Sequence, residues 1–158
     1  MAFTGKVALI TGGGSGMGRL AARNLAAQGK LVATLDVNLD GLKETADGHD
    51  GILTIPTDVT DPTSVESAVM RCEQELGPID RVYNAAAIMP TGLLMDQDVS
   101  VIQKIMDINY GGVVNVTKFA LPGMLERGRG DFINFASMAG WMPILYLGAY
   151  NASKFAVV

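Results

Sequence analysis

The apolar run Val7-Ala-Leu-Ile10 passes through Thr11 into Gly12-Gly-Gly-Ser-Gly-Met-Gly18 and then straight into a helical pattern. No other stretch of the chain constrains the backbone as much. Glycines allow a tight reversal between a strand and a helix, and they let backbone N–H groups approach an anion at the helix N-terminus. The spacing separates the motifs that use glycine this way. A P-loop needs Gly-x4-Gly-Lys-Ser/Thr; Gly13 and Gly18 fit, but Arg19 and Leu20 follow, so the metal-binding hydroxyl is missing. The esterase elbow Gly-x-Ser-x-Gly fails at Met17, and Gly-x-Gly-x-x-Gly fails in every register. What fits is Thr-Gly-x3-Gly-x-Gly, on Thr11, Gly12, Gly16 and Gly18.

The rest of the chain alternates apolar runs with helical patterns. Strands are predicted at Lys6–Ile10, Leu31–Leu35, Ile52–Ile55, Arg81–Asn84 and Asp131–Ala136. Helices are predicted at Met17–Gln28, Leu39–Ala46 and Thr63–Leu76, the last opened by Asp61-Pro62 as cap and first helical residue. A long helical pattern covers Val99–Leu125 despite Gly111-Gly112, and another helix starts at Ala149. Short connections between alternating strands and helices imply parallel βαβ units with right-handed crossovers. The expected fold is a doubly wound α/β domain with a parallel, Rossmann-like sheet, a single domain over residues 1–158. Hydrophobic residues make up 49% of the chain, which suits a parallel sheet covered on both faces.

Composition narrows the function. A net charge of −4 without a basic patch argues against nucleic acid. No stretch approaches the length of a membrane span, and the start MAFTGKVALITGGG does not read as a signal peptide. The one cysteine, Cys72, has no internal disulfide partner, so a reducing, cytoplasmic setting is expected. One His and one Cys make no clustered metal site, and His49, in the polar connection DGHDG, reads as a solvated loop residue. Asp36 ends the second strand, where a carboxylate can accept both adenosine-ribose hydroxyls and would repel a 2′-phosphate.

Together with the closing segment Tyr150-Asn-Ala-Ser-Lys154, these residues resemble the short-chain dehydrogenase/reductase family, and the motifs run in the family's order along the chain. The resemblance implies an NAD-preferring oxidoreductase acting on an alcohol or ketone. Gly12, Ser15, Gly16, Met17 and Gly18 would form the cofactor turn, and Asp36 matches the position favouring NAD over NADP. Asp58 and Val59 match the pair flanking the adenine, and Asn84, Ala85 and Ala86 fall where the family usually has Asn-Ala-Gly. Two departures bear on cofactor affinity: Tyr83 replaces a small polar residue, and Ala86 places a methyl beside the nicotinamide ribose. Asn109, Ser137, Tyr150 and Lys154 match the catalytic positions, with Tyr150 and Lys154 also touching the cofactor.

The tyrosine and lysine make chemical sense as a pair. Hydride transfer leaves a proton to be moved, and a free phenol titrates near 10, too high to serve well as a base at neutral pH. Lys154 lies one helical turn beyond Tyr150, and a positive charge nearby favours a phenolate. Ser137 would hydrogen-bond the substrate oxygen as charge develops on it. By resemblance, Asn109 would hold a relay water. The apolar segments Met138–Tyr146 and Ile88-Met89-Pro90 face the substrate in this family and suggest an apolar one.

Two other functions fit less of the sequence. A dinucleotide-binding fragment without turnover is the alternative. An extended-branch epimerase or dehydratase would carry Thr-Gly-x2-Gly-x2-Gly, a register that fails at Arg19. Members of the family continue past Tyr-x3-Lys through further strands and a substrate-covering segment, so a longer protein and a homodimer or homotetramer are expected. The run Asp131–Ala136 is apolar on both faces, as in an interior strand.

Overall fold

The computed structural model describes residues 3–158. One sheet contains β1 (Val7–Thr11), β2 (Leu31–Asp36), β3 (Ile52–Pro56), β4 (Arg81–Asn84) and β5 (Asp131–Asn134). All pairings are parallel, in the order β3-β2-β1-β4-β5. The connections carry α1 (Gly16–Ala27), α2 (Leu39–Ala46), α3 (Pro62–Leu76), α4 (Val99–Met106) and α5 (Gly112–Glu126), and α6 (Gly148–Val157) follows β5. The chain therefore adopts the doubly wound, Rossmann-like arrangement that its alternating pattern implies.

Side chains on β1 alternate between the two faces, and both faces are covered. Val7 and Leu9 pack with Val65 and Val69 of α3 and Val116 of α5. Ala8 and Ile10 pack with Ala22 and Leu25 of α1. This two-sided burial explains why the central strand reads as a continuous apolar run. Cys72 lies in the first of these cores; burial, then Glu73 and Glu75, pushes its thiol up to about 12, so it stays protonated and inert. Asp61 caps α3 as expected, its side chain accepting from the Thr63 N–H at 2.9 Å.

Two elements differ from expectation. The helical pattern over Val99–Leu125 is not one α-helix, because a π-helical turn, Asp107–Gly111, separates α4 from α5. A wider turn there fits the crowding at Gly112, where a β-carbon would lie 2.8 Å from Val59 Cγ2. The fifth strand stops at Asn134 rather than Ala136, since the carbonyl of Phe135 turns aside to accept from Lys154 Nζ at 2.5 Å. Among the described residues β5 pairs only with β4; Phe132 packs against the core while Ile133 is exposed.

The N-terminal end of the sheet is held by charge. Arg81 on β4 grips its register partner Asp131 on β5 through two bonds of 2.5 and 2.6 Å. Asp80 accepts from the Lys6 and Val7 N–H groups and faces Arg129 at 3.6 Å. Burial would raise the Asp80 carboxyl, but those two N–H groups with Arg129 and Arg127 outweigh it and hold the carboxyl below its ordinary value. No helix among the described residues is long and apolar enough to cross a membrane.

Candidate functional site

The strand order reverses between β1 and β4, and a crevice opens there at the carboxyl ends of the strands, the usual ligand position in such sheets. Thr11, the last residue of β1, binds the two sides together. Its Oγ accepts from the N–H groups of Ala85 and Ala86, each at 3.1 Å. Gly12 follows with φ +67°, and a β-carbon there would come within 2.9 Å of the Ala86 backbone. Gly18 meets the carbonyl oxygen of Gly12 so closely that no side chain fits between α1 and the turn. Ser15 stands at the N-cap of α1 without a side-chain capping bond, and the first turn holds no acid. The first N–H groups of α1 and its dipole thus meet no carboxylate from the first turn, the arrangement that suits a phosphate.

Asp36 is fixed beside this turn. Its carboxylate accepts from the Gly14 N–H at 3.0 Å and from the Asn38 N–H at 2.9 Å. A β-carbon at position 14 would lie 2.9 Å from the same carboxylate oxygen, so glycine is what lets the acid approach. Asp58 turns its carboxylate onto Thr60, while buried Val59 is pinned by its carbonyl, which accepts from Asn115 at 2.9 Å.

Most of the residues expected to touch a cofactor line one cleft of about 440 Å³. Gly12 and Ser15 to Gly18 form one side, Asp36, Asp58 and Val59 the far end, and Ala85, Ala86 and Tyr150 the other side. Asn84 does not line it. Its amide donates to Asn134 at 2.9 Å, and its buried oxygen has no partner among the described residues. Tyr83 also points away, its ring against Phe135 and its hydroxyl accepting from Arg81 at 3.4 Å.

Helix α6 supplies the catalytic candidates. Tyr150 is half-buried at the cleft, and Lys154, only 4% exposed, places Nζ 5.7 Å from the Tyr150 ring centroid. Burial lowers the Lys154 ammonium from its ordinary value, and its described partner is the Phe135 carbonyl. Ser137 caps the 3-10 turn Met138–Gly140, its Oγ accepting from Ala139 N–H at 3.1 Å while its own hydrogen stays available. That turn presses on α6: a β-carbon on Gly140 would lie 2.5 Å from the Lys154 carbonyl oxygen.

Asn109 sits fully buried in the π-helical turn. It accepts from Ile88 N–H at 2.9 Å and donates to the Ile88 carbonyl and to Ser153 Oγ, each at 3.0 Å. Both amide hydrogens are thereby spent on the protein itself. Ser153 Oγ donates in turn to the Tyr150 carbonyl at 2.8 Å, making it the link between Asn109 and α6. Sequence reasoning gave no role to Ser153, nor to the side chain of Thr11. The only available signal for Ser153 was its place one turn beyond Tyr150.

A family model for short chain dehydrogenase matches residues 6–158. The chain belongs to the short-chain dehydrogenase family. SadH of Mycobacterium tuberculosis is 36% identical over 159 residues, covering 98% of this chain and 58% of that protein. Among solved structures, levodione reductase matches with a TM-score of 0.92 at 34% identity, over 99% of this chain and 63% of that one. A short-chain dehydrogenase/reductase from Burkholderia phymatum, in complex with NAD, matches with a TM-score of 0.93 at 30% identity, over 97% and 56%. The short-chain dehydrogenase chain described here thus spans a little over half the length of SadH.

Proposed function

We propose that this protein is an oxidoreductase transferring hydride between a nicotinamide dinucleotide, preferably NAD(H), and a secondary alcohol or ketone of apolar character. The observation that carries the reading is one cleft holding the glycine turn, Asp36 and Tyr150 together, with Lys154 buried behind the tyrosine. The glycine positions fit a dinucleotide, since β-carbons at Gly12 or Gly18 would close the turn. When bound, the nicotinamide supplies the hydride acceptor or donor.

The chain's own groups do the rest. The turn and the α1 N-terminus bind the pyrophosphate, and Asp36 receives the ribose hydroxyls and repels a 2′-phosphate. Ser137 donates its free hydrogen to the substrate oxygen, orienting it and stabilising the charge that grows there. Tyr150 takes the alcohol proton in oxidation or returns it in reduction, and Lys154 keeps positive charge beside the ring. Asn109 and Ser153 hold α6 in place. Exposed Met89, Met138 and Trp141 support an apolar substrate. Exposed Val114, Leu121 and Leu125 of α5 and Phe155 of α6 support self-association into a homodimer or homotetramer.

A second reading, dinucleotide binding without turnover, draws on the uncovered segment between Ser137 and Tyr150, where Leu145 is 83% exposed. NAD and NADP titrations followed by turnover assays on a panel of secondary alcohols separate the two. Under the first reading Tyr150→Phe lowers turnover by about 100-fold or more while NAD binding persists, and Lys154→Met impairs both. Wild-type turnover in Tyr150→Phe would refute the proton role, and NAD binding without any turnover would select the second reading.

A further inference from the structure

Gly140 packs on α6 and Ala139 is buried, but the apolar stretch that follows them, Trp141 to Tyr146, is not held by burial. Trp141, Leu145 and Tyr146 are 73%, 83% and 60% exposed, and Leu147 is the next large side chain to be buried. Polar fastenings hold the segment instead. Asn151, the residue after Tyr150 on α6, makes a reciprocal pair with Ile144. Its Oδ1 accepts from the Ile144 N–H at 3.3 Å, and its Nδ2 donates to the Ile144 carbonyl at 2.9 Å. Two residues further on, Tyr146 has φ +64°, the one non-glycine residue in the left-handed region among the described residues. That conformation is unfavourable for a residue bearing a β-carbon and persists only where its surroundings hold it. Here the Tyr146 carbonyl accepts from the N–H of Gly92, on the segment following β4, at 2.9 Å. The two walls of the substrate side are thus joined to each other at Tyr146 and to the catalytic helix at Asn151.

We propose that Asn151 is a positioning residue that fastens the exposed 141–146 segment to the helical turn carrying Tyr150, so that the apolar wall and the acid–base group keep one relative geometry. The inference rests on the reading of Tyr150 given under Proposed function. The amide is suited to the task because it both donates and accepts; an aspartate would keep the bond from the Ile144 N–H but turn a charged oxygen onto the Ile144 carbonyl.

Trp141, the chain's single tryptophan, lies inside the fastened segment and reports on it without any turnover. The test compares time-resolved Trp141 anisotropy in wild type, Asn151→Ala and Asn151→Asp, alongside far-UV circular dichroism and NAD titration. Both variants are expected to lose anisotropy through faster local motion, with unchanged dichroism and an NAD dissociation constant within about twofold. In a preparation that turns over, KM for an apolar alcohol should rise about tenfold, as for the loss of two hydrogen bonds, while kcat changes less. Wild-type anisotropy in both variants would overturn the proposal. So would unfolding or loss of NAD binding in both, which would make Asn151 a general fold residue. If no preparation turns over, the functional reading falls, while the anisotropy still decides whether Asn151 fastens the segment.

Discussion

The two ends of strand β4 use polar groups in opposite ways. At its N-terminal end Arg81 is consumed by Asp131, and nearby Asp80 is consumed by backbone N–H groups and Arg129. These charges satisfy one another. At its C-terminal end the N–H groups of Ala85 and Ala86 turn to Thr11, and across the crevice Asp36 engages only backbone N–H donors. No arginine or lysine neutralises Asp36 among its described hydrogen bonds, and its carboxylate keeps capacity to accept more. One end closes the sheet on itself, and the other is left able to bind. The difference teaches that mutations at the two ends of the sheet around β4 should separate mainly into stability effects and ligand effects according to which end they touch.

The sharpest attempt to break that separation is Gly12→Ala, at the binding end. The substitution forces a β-carbon onto the Ala86 backbone at φ +67°. It is expected to cost about 3 kcal/mol of stability and to abolish NAD binding, measured by chemical denaturation and titration. It is the binding-end change predicted to affect both properties most, because the glycine turn is also where β1 meets β4. Asp131→Asn, at the closed end, should cost about 2 kcal/mol by removing the anion from buried Arg81, discounted because Asp131 is half exposed. NAD affinity should stay within about twofold of wild type; a larger loss would show that the two ends are coupled through the strand.

Asp36→Ala is expected to have the smallest effect on free energy and the most specific. The preference for NAD over NADP should narrow by about tenfold, about 1.4 kcal/mol, while stability falls by about 1 kcal/mol as the Gly14 and Asn38 N–H groups lose their acceptor. A wild-type preference for NADP would show that the acid is not the discriminating group.

The glycine turn, the strand–helix alternation and the Tyr150–Lys154 spacing were legible because each is local. Backbone reversal, hydrophobic period and one-turn helix spacing are all set within a few residues, so a linear reading contains them. Asn84 shows the opposite case. Its match to the family's asparagine at the end of the fourth strand suggested the cofactor, but a β4–β5 register that pairs it with Asn134 turns its amide inward. The π-helical turn escaped notice for a similar reason, since Gly111-Gly112 marks a weak point in a helix without saying that Val59 crowds it.

The sequence by itself determined the class of fold, the one-turn spacing of Tyr150 and Lys154 and a glycine turn open to an anion. Only the tertiary structure decided how these parts are held. Thr11 joins β1 to the end of β4, Ser153 joins Asn109 to α6, and Asn151 joins that helix to Ile144. The physical reason is the range of the interactions. Periodicity and backbone preference act along the chain, whereas a side chain's hydrogen-bond partner depends on which distant backbone the packed sheet brings within about 3 Å.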